Sequence, residues 1–288
     1  MSYLAICAIF KDEAPYLKEW IDFHLKEGCS KFYLYNNFSQ DAFQEVLDPY
    51  VINGIVTLTD WPQLFSDGGQ ENAYSHCLAV TKDLHRWVAI IDIDEFLFGV
   101  KSRLVNKLQA YEEFPAVAVN TICYGTFTSE KTLVQGVTQS LVYRAPLNWY
   151  RNRIIKCIVN PSEVSVCFSP HSFDLSGERI VNEKGERLTK RKGSLRRRYY
   201  KFVSKNKTFM RYVAALFPML IDAYGGNKYR FNSVEELRIN HYVLRSAQAF
   251  QHKQQRFLGS QHAEKYDSAY FRYHNQNQVY DPILKERT

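Results

Sequence analysis

Apolar and polar positions fall into blocks along the first hundred residues that predict a repeating strand–helix unit. Short, β-branched-rich apolar runs at 3–10, 31–35 and 55–59 read as strands. Between them, 15–27 and 41–50 carry apolar residues at three- and four-residue spacing, the pattern of helices that cover a sheet. A further helical stretch at 70–84 leads into an unpatterned apolar run ending at residue 92, which reads as a strand buried on both faces. Strands alternating with helices predict an α/β fold: a Rossmann-like, mostly parallel central sheet with right-handed crossovers. Downstream the pattern gives a helix at 105–114, β-rich segments at 116–127 and 154–168, and a loop or hairpin tip at 177–185. An apolar strand then follows at 234–240, and a closing helix at 246–258. No linker interrupts the chain, so we expect one domain over 1–245, with halves 1–115 and 116–245, and a helical tail over 246–288.

The run 87–98 places Asp92, Asp94 and Glu95 inside apolar sequence, where uncompensated carboxylates are costly. On a strand, side chains two apart share a face, so Asp92 and Asp94 are expected to converge. A divalent ion relieves such a pair, and hard oxygen ligands suit Mg or Mn. The plain alternative is that they cap the next helix. Glu95, beside the pair, reads as a supporting group. Strand ends at 11–13, 36–41, 61 onward and 92–95 line one edge, where α/β sheets bind nucleotides. Neither G-x-G-x-x-G nor G-x-x-x-x-G-K-[ST] is present, which argues against a dinucleotide oxidoreductase or a P-loop phosphotransferase and leaves metal-held phosphates. Taken singly, Asp12 and Asp41 also read as helix N-caps and Asn36-Asn37 as a turn.

Composition changes this picture in two places. With 45% hydrophobic and 15% aromatic residues the chain can fill a core, and six cysteines without C-x-x-C spacing indicate reduced core thiols. No basic leader or long apolar run is visible, so a cytoplasmic protein is expected. The net charge is +7, yet 187–211 holds 11 Lys or Arg and no Asp or Glu, so the remainder stands at −4. That segment interleaves Arg with Tyr and suits an anionic membrane surface, giving a peripheral attachment, or else a solvated loop.

Taken together, several blocks resemble the glycosyltransferases of GT-A fold, most nearly glycosyltransferase family 92 and a family-2-like bacterial branch. They are Lys11-Asp12-Glu13, the helix around Tyr16-Leu17-Lys18-Glu19-Trp20, Asn36-x-x-Ser39-x-Asp41, Gln70-Glu71-Asn72-Ala73-Tyr74, Asp92-Ile93-Asp94-Glu95-Phe96, Lys156 to Pro161, Pro170-His171-Ser172, Arg238-Ile239-Asn240-His241-Tyr242 with Phe250 and Lys253, and Asn277 to Asp281. The resemblance implies that Asp92 and Asp94 hold Mn2+ or Mg2+ against the diphosphate of a nucleotide sugar, with His241 completing the site and His171 competing for that role. It further implies donor contacts from Lys11, Asp12, Glu13, Asn36, Asp41, Gln70 and Asn72. The first half then becomes the nucleotide-sugar-binding half and the second the acceptor half.

A diphosphate leaving group develops charge that a divalent ion neutralises, and an inverting enzyme needs a carboxylate to take the acceptor proton. Asp174, Glu163 and Glu178 are the candidates for that base, with Glu95 a weaker one, and the sequence does not choose. The expected reaction moves a hexose, galactose first, from a UDP-sugar to a saccharide or lipid-linked acceptor, as in polysaccharide biosynthesis. Two other classes are less consistent. An aspartyl-phosphate phosphatase would carry its pair after the first strand, with Thr or Val where Glu95 stands. A nucleic-acid-binding module would spread its basic residues over a face, whereas the rest of this chain is acidic, so no nucleic acid is expected.

Overall fold

A strand buried on both faces needs a layer on each side, and the first strand shows how the chain supplies them. In β1 (Ser2–Phe10), Leu4, Ile6, Ala8 and Phe10 face one apolar cluster, shared with Leu17, Trp20 and Ile21 of α1 (Ala14–Lys26). Ala5, Cys7 and Ile9 face a second, shared with Ala73, Tyr74 and Cys77 of α3 (Gly69–Thr81). The computed structural model describes residues 2–126, 135–169, 172–175, 179–188, 233–256 and 266–287. The other elements of the first half are β2 (Lys31–Asn36), α2 (Phe43–Ile52), β3 (Val56–Asp60), β4 (His85–Ile90), β5 (Glu95–Gly99) and α4 (Leu104–Leu108). The rest are β6 (Ala116–Cys123), α5 (Val137–Ser140), β7 (Tyr143–Arg144), β8 (Ile155–Val159), β9 (Val164–Ser169), β10 (Ser172–Leu175), β11 (Ile180–Val181), β12 (Leu237–His241), α6 (Ala247–Arg256), α7 (Ser268–His274) and β13 (Val279–Tyr280).

The main sheet runs β3-β2-β1-β4-β8-β6-β12-β5, with β11 also on β6. The first four strands are mutually parallel, as the strand–helix repeat predicts. β8 is antiparallel to both β4 and β6, β12 is parallel to β6, and β5 is antiparallel to β12. The fold class is therefore α/β with a mostly parallel sheet, as expected.

Three elements differ from the sequence reading. The run 87–98 is not one strand through Asp92. β4 stops at Ile90, a turn closed by Glu95 N–H donating to the Asp92 carbonyl (3.0 Å) reverses the chain, and β5 begins at Glu95. Apolarity alone cannot reveal such a break, because both halves are buried. The helix expected at 105–114 is α4 followed by a short 3-10 turn, Gln109–Tyr111. The tail is not purely helical: β13 pairs with β7 (Tyr280 opposite Tyr143), and Asp281 bonds Arg238 at 2.9 Å and also Arg144, tying the tail to the body.

Candidate functional site

The β4–β5 turn carries Asp92, Asp94 and Glu95, and each meets a cation brought from elsewhere in the chain. Lys156, on the apolar strand β8, is 2% exposed and lies 2.8 Å from Asp92 Oδ2 and 3.1 Å from Glu95 Oε2. His241, at the end of β12, faces Glu95 in strand register and lies 3.4 Å from Asp94 Oδ1. Lys253 of α6 reaches Asp94 Oδ2 at 3.2 Å. The strand-based expectation that both aspartates point at one spot is corrected: in a turn the two-residue alternation does not apply, and each aspartate has its own lysine. They still feel each other's charge.

Burial alone raises the pKa of both aspartates. For Asp92 it is outweighed by Lys156, and for Asp94 by Lys253 and His241, so both carboxyls end below the ordinary value, Asp94 well below. For Glu95 burial wins over Lys156 and the pKa rises. For His241 burial would lower the pKa, but Asp94 raises it beyond the ordinary value. Glu95 works as a support rather than a ligand: its Oε2 accepts the Asp92 N–H at 3.0 Å and its carbonyl accepts Trp20 Nε1–H at 2.8 Å. Gln70 donates to the Tyr74 hydroxyl (2.9 Å), which lies 3.4 Å from Asp92 Oδ1, so Gln70 reaches Asp92 through Tyr74.

The carboxylates of Asp92 and Asp94 are hard oxygen donors of the kind that suits Mn2+ or Mg2+, and the His241 imidazole lies beside Asp94. Among the described residues no group of three or more His, Cys, Asp or Glu side chains is placed to hold a metal ion by itself. An ion held partly by substrate phosphates needs none.

Beside this centre, the loops after β1 and β2 are laced together. Asp12 Oδ1 accepts Gln40 N–H (2.7 Å), Asp12 N–H donates to Ser39 Oγ (2.9 Å), and Ser39 N–H donates to Asn36 Oδ1 (3.0 Å). Asp41 Oδ2 accepts Ala14 N–H (2.7 Å), capping α1 from a different loop rather than its own helix. Asp12 and Phe38 both hold positive φ, 52° and 59°, a left-handed conformation uncommon for residues other than glycine. Asn36 Nδ2 donates to Asp60 Oδ1 (2.9 Å), which places a carboxylate from β3 next to the amide position. Asn72 Nδ2 bonds Gln63 Oε1 (3.1 Å) at the surface, and Lys11 is half-buried at the end of β1.

The structure thus gathers Asp92, Asp94 and His241, with Gln70 close behind, and sets Lys11, Asp12, Glu13, Asn36 and Asp41 on the same edge. It does not bring Glu163 there. Because β8 is antiparallel to β4, with Val159 opposite Val88, the turn Pro161–Glu163 lies at the far edge, where Ser162 Oγ–H donates to the Lys82 carbonyl. Glu163 therefore lies away from the acidic pair. Asp174 lies on β10 opposite Val166, and His171 and Glu178 lie outside the described residues, as does 189–211 of the basic segment. Lys156, Lys253 and Arg245 were not among the expected site residues. Lys156 had a usable signal, a lone cation inside an apolar strand, the mirror image of the aspartates.

Fold and site define an α/β protein whose strand ends carry an acidic pair balanced by the buried Lys156 and the half-buried Lys253 and His241. The sequence model of glycosyltransferase family 92 matches residues 2–242. The chain belongs to that family. A glycosyltransferase family 92 protein of Oryza sativa subsp. japonica is 31% identical over 186 residues, 62% of this chain and 31% of the rice protein. One from Ricinus communis is 25% identical over 190 residues, 63% of this chain and 34% of that protein. The chain thus spans about a third of the length of these curated relatives. Among solved structures, S. aureus TarS in complex with UDP is similar at a TM-score of 0.35 and 12% identity over 45% of this chain and 38% of that one, too loose a likeness to bear on the site.

Proposed function

We propose that this chain is a glycosyltransferase catalytic unit that moves a hexose from a nucleotide sugar to a hydroxyl of a saccharide or lipid-linked acceptor. The observation that carries the reading is the acidic turn of Asp92 and Asp94 at the carboxyl edge of the sheet, with His241 of β12 beside Asp94, inside the span matched by the family. Asp92, Asp94 and His241 are the residues that would hold Mn2+ or Mg2+. Such an ion, when bound, supplies a Lewis acid for the departing diphosphate. The chain's own residues do the rest. Lys156 and Glu95 hold Asp92 in place, and Lys253 contributes a positive charge where the leaving group becomes more negative. The loops at Asp12 and Phe38, with the Asn36–Asp60 pair, are assigned to base and ribose.

In this reading the reaction inverts the anomeric centre, and Asp174 or Glu178 takes the acceptor proton. UDP-galactose is the first donor to test. The segment 187–211 holds the enzyme at the cytoplasmic face of an anionic bilayer, at about 1 kcal/mol per basic residue near the surface. Salt-sensitive sedimentation with anionic liposomes, absent with neutral ones, is the expected result.

The deciding measurement is a thermal-shift screen of UDP- and GDP-sugars with and without Mn2+. We expect a Mn2+-enhanced shift with one sugar nucleotide that is lost in Asp94→Ala. A flat response to every nucleotide sugar would sink the proposal.

A further inference from the structure

Arg245 follows β12 by four residues and is a non-glycine residue with φ 56°, a left-handed conformation that an arginine adopts only when its surroundings hold it there. Its side chain is 7% exposed and is fixed at two points. Nη1 pairs with Glu13 Oε2 at the end of β1, and the guanidinium lies 3.7 Å from the centre of the Tyr16 ring on α1. Nη2 is buried, and among the described residues it has no partner. An arginine presents five N–H donors in a rigid fork, and leaving a buried one unmet costs about 1–3 kcal/mol. The group also lies within the field of Asp94, so it borders the acidic centre rather than a distant part of the core.

A guanidinium held on one side by a carboxylate and on its face by a phenol ring cannot turn away to solvent. Its free edge is preorganised for one kind of partner, an anionic oxygen. The cations already placed on Asp92 and Asp94 leave those carboxylates balanced, so an anion arriving next to them is not repelled.

We propose that Arg245 is a donor-binding residue whose Nη2 donates to a phosphate oxygen of the nucleotide sugar's diphosphate, an inference that rests on the glycosyltransferase reading. Glu13 and Tyr16 are its positioning residues. Glu13 therefore acts through Arg245 rather than on the base, and the edge of β1 is coupled to the edge of β12 through the ligand site.

The test is calorimetric titration of uridine, UMP, UDP and GDP into the wild-type chain, Arg245→Lys and Arg245→Gln, with far-UV spectra and melting temperatures as fold controls. Lysine keeps the charge and most of the stem but loses the fork. We expect Arg245→Lys to weaken UDP by about tenfold, the effect of one charge-assisted hydrogen bond, with uridine changed by less than about twofold. Arg245→Gln should weaken UDP further, again sparing uridine. Equal losses for uridine and UDP, unchanged UDP binding, or loss of fold in both variants would make Arg245 a structural tie between β1 and β12 and overturn the proposal. A wild-type chain that binds neither UDP nor GDP would instead count against the glycosyltransferase reading itself.

Discussion

At the scale of single residues, the site is governed by where charge is buried and what balances it. Lys156 shows this most plainly. Its ammonium is enclosed with Asp92 and Glu95, and the two carboxylates push its pKa upward despite burial. Lys156→Met keeps the volume but leaves the acidic residues without their cation. Breaking a buried pair by removing one partner costs about 3–5 kcal/mol. We expect a loss near the lower end, about 3 kcal/mol in urea unfolding, because the Asp92 side chain is 37% exposed and water recovers part of the cost. Asp94→Asn probes function, and it also removes the ionised form that Lys253 and His241 favour, so urea unfolding should register a loss of stability beside it. Sugar-nucleotide turnover should fall by about 100-fold or more, the usual scale for losing a group that stabilises transition-state charge. Turnover within a few-fold of wild type would remove Asp94 from the chemistry. The residue scale was also the most legible in the sequence. Carboxylates in an apolar run are anomalous wherever the chain folds, so Asp92 and Asp94 stood out. Arg245 gave no such signal, because its importance lies in a φ angle and in contacts with Glu13 and Tyr16.

At the scale of elements, the packing of α1 on β5 depends on a neutral imidazole. His24 Nδ1–H donates to the Trp20 carbonyl (2.7 Å), and Nε2 accepts Leu97 N–H (3.1 Å), so both ring nitrogens are committed. Complete burial lowers its pKa to about 3. The unfolded chain takes up a proton near pH 6.5 and the folded one does not until about 3. The His24 contribution is therefore complete above pH 6.5 and is lost as pH falls through that window, at about 1.4 kcal/mol per unit. His24→Gln should flatten the decline of urea stability between pH 6.5 and 4.5; an unchanged slope would show that other groups carry it. Glu183 is a second such element. Its carboxylate accepts the N–H groups of Glu235, Glu236 and Leu237 at 2.9, 3.0 and 2.7 Å, as well as the Ser233 hydroxyl, and so anchors the start of β12. Glu183→Ala orphans buried donors at about 1–3 kcal/mol each and should lower stability by at least about 2 kcal/mol. Because β12 delivers His241, donor binding should weaken as well. Elements read well from the sequence where they are local, as in β1 to β4 and α1 to α3. They read poorly at 87–98, where the break between β4 and β5 is imposed by β12 pairing with β5 from far along the chain.

At the scale of the whole molecule, the tail is part of the body. Asp281 ties β13 to Arg144 and Arg238, and Arg238 also donates to the Tyr124 hydroxyl. Asp281→Asn should open the tail to limited proteolysis before the core is cut; simultaneous loss of both would mean that they unfold as one unit. No helix among the described residues is long and apolar enough to cross a membrane.

By itself the sequence determined the α/β class, the parallel first half, the location of the acidic pair and the family, because periodicity and misplaced charge are properties of local chain. Only the tertiary structure decided that Asp92 and Asp94 sit in a turn rather than on a strand. It alone brought Lys156, Lys253 and His241 to them and set Glu163 at the far edge. It also left one edge of the Arg245 guanidinium unmet. Each of these depends on pairing between segments distant in the chain, where the free energy comes from contacts that no local pattern encodes.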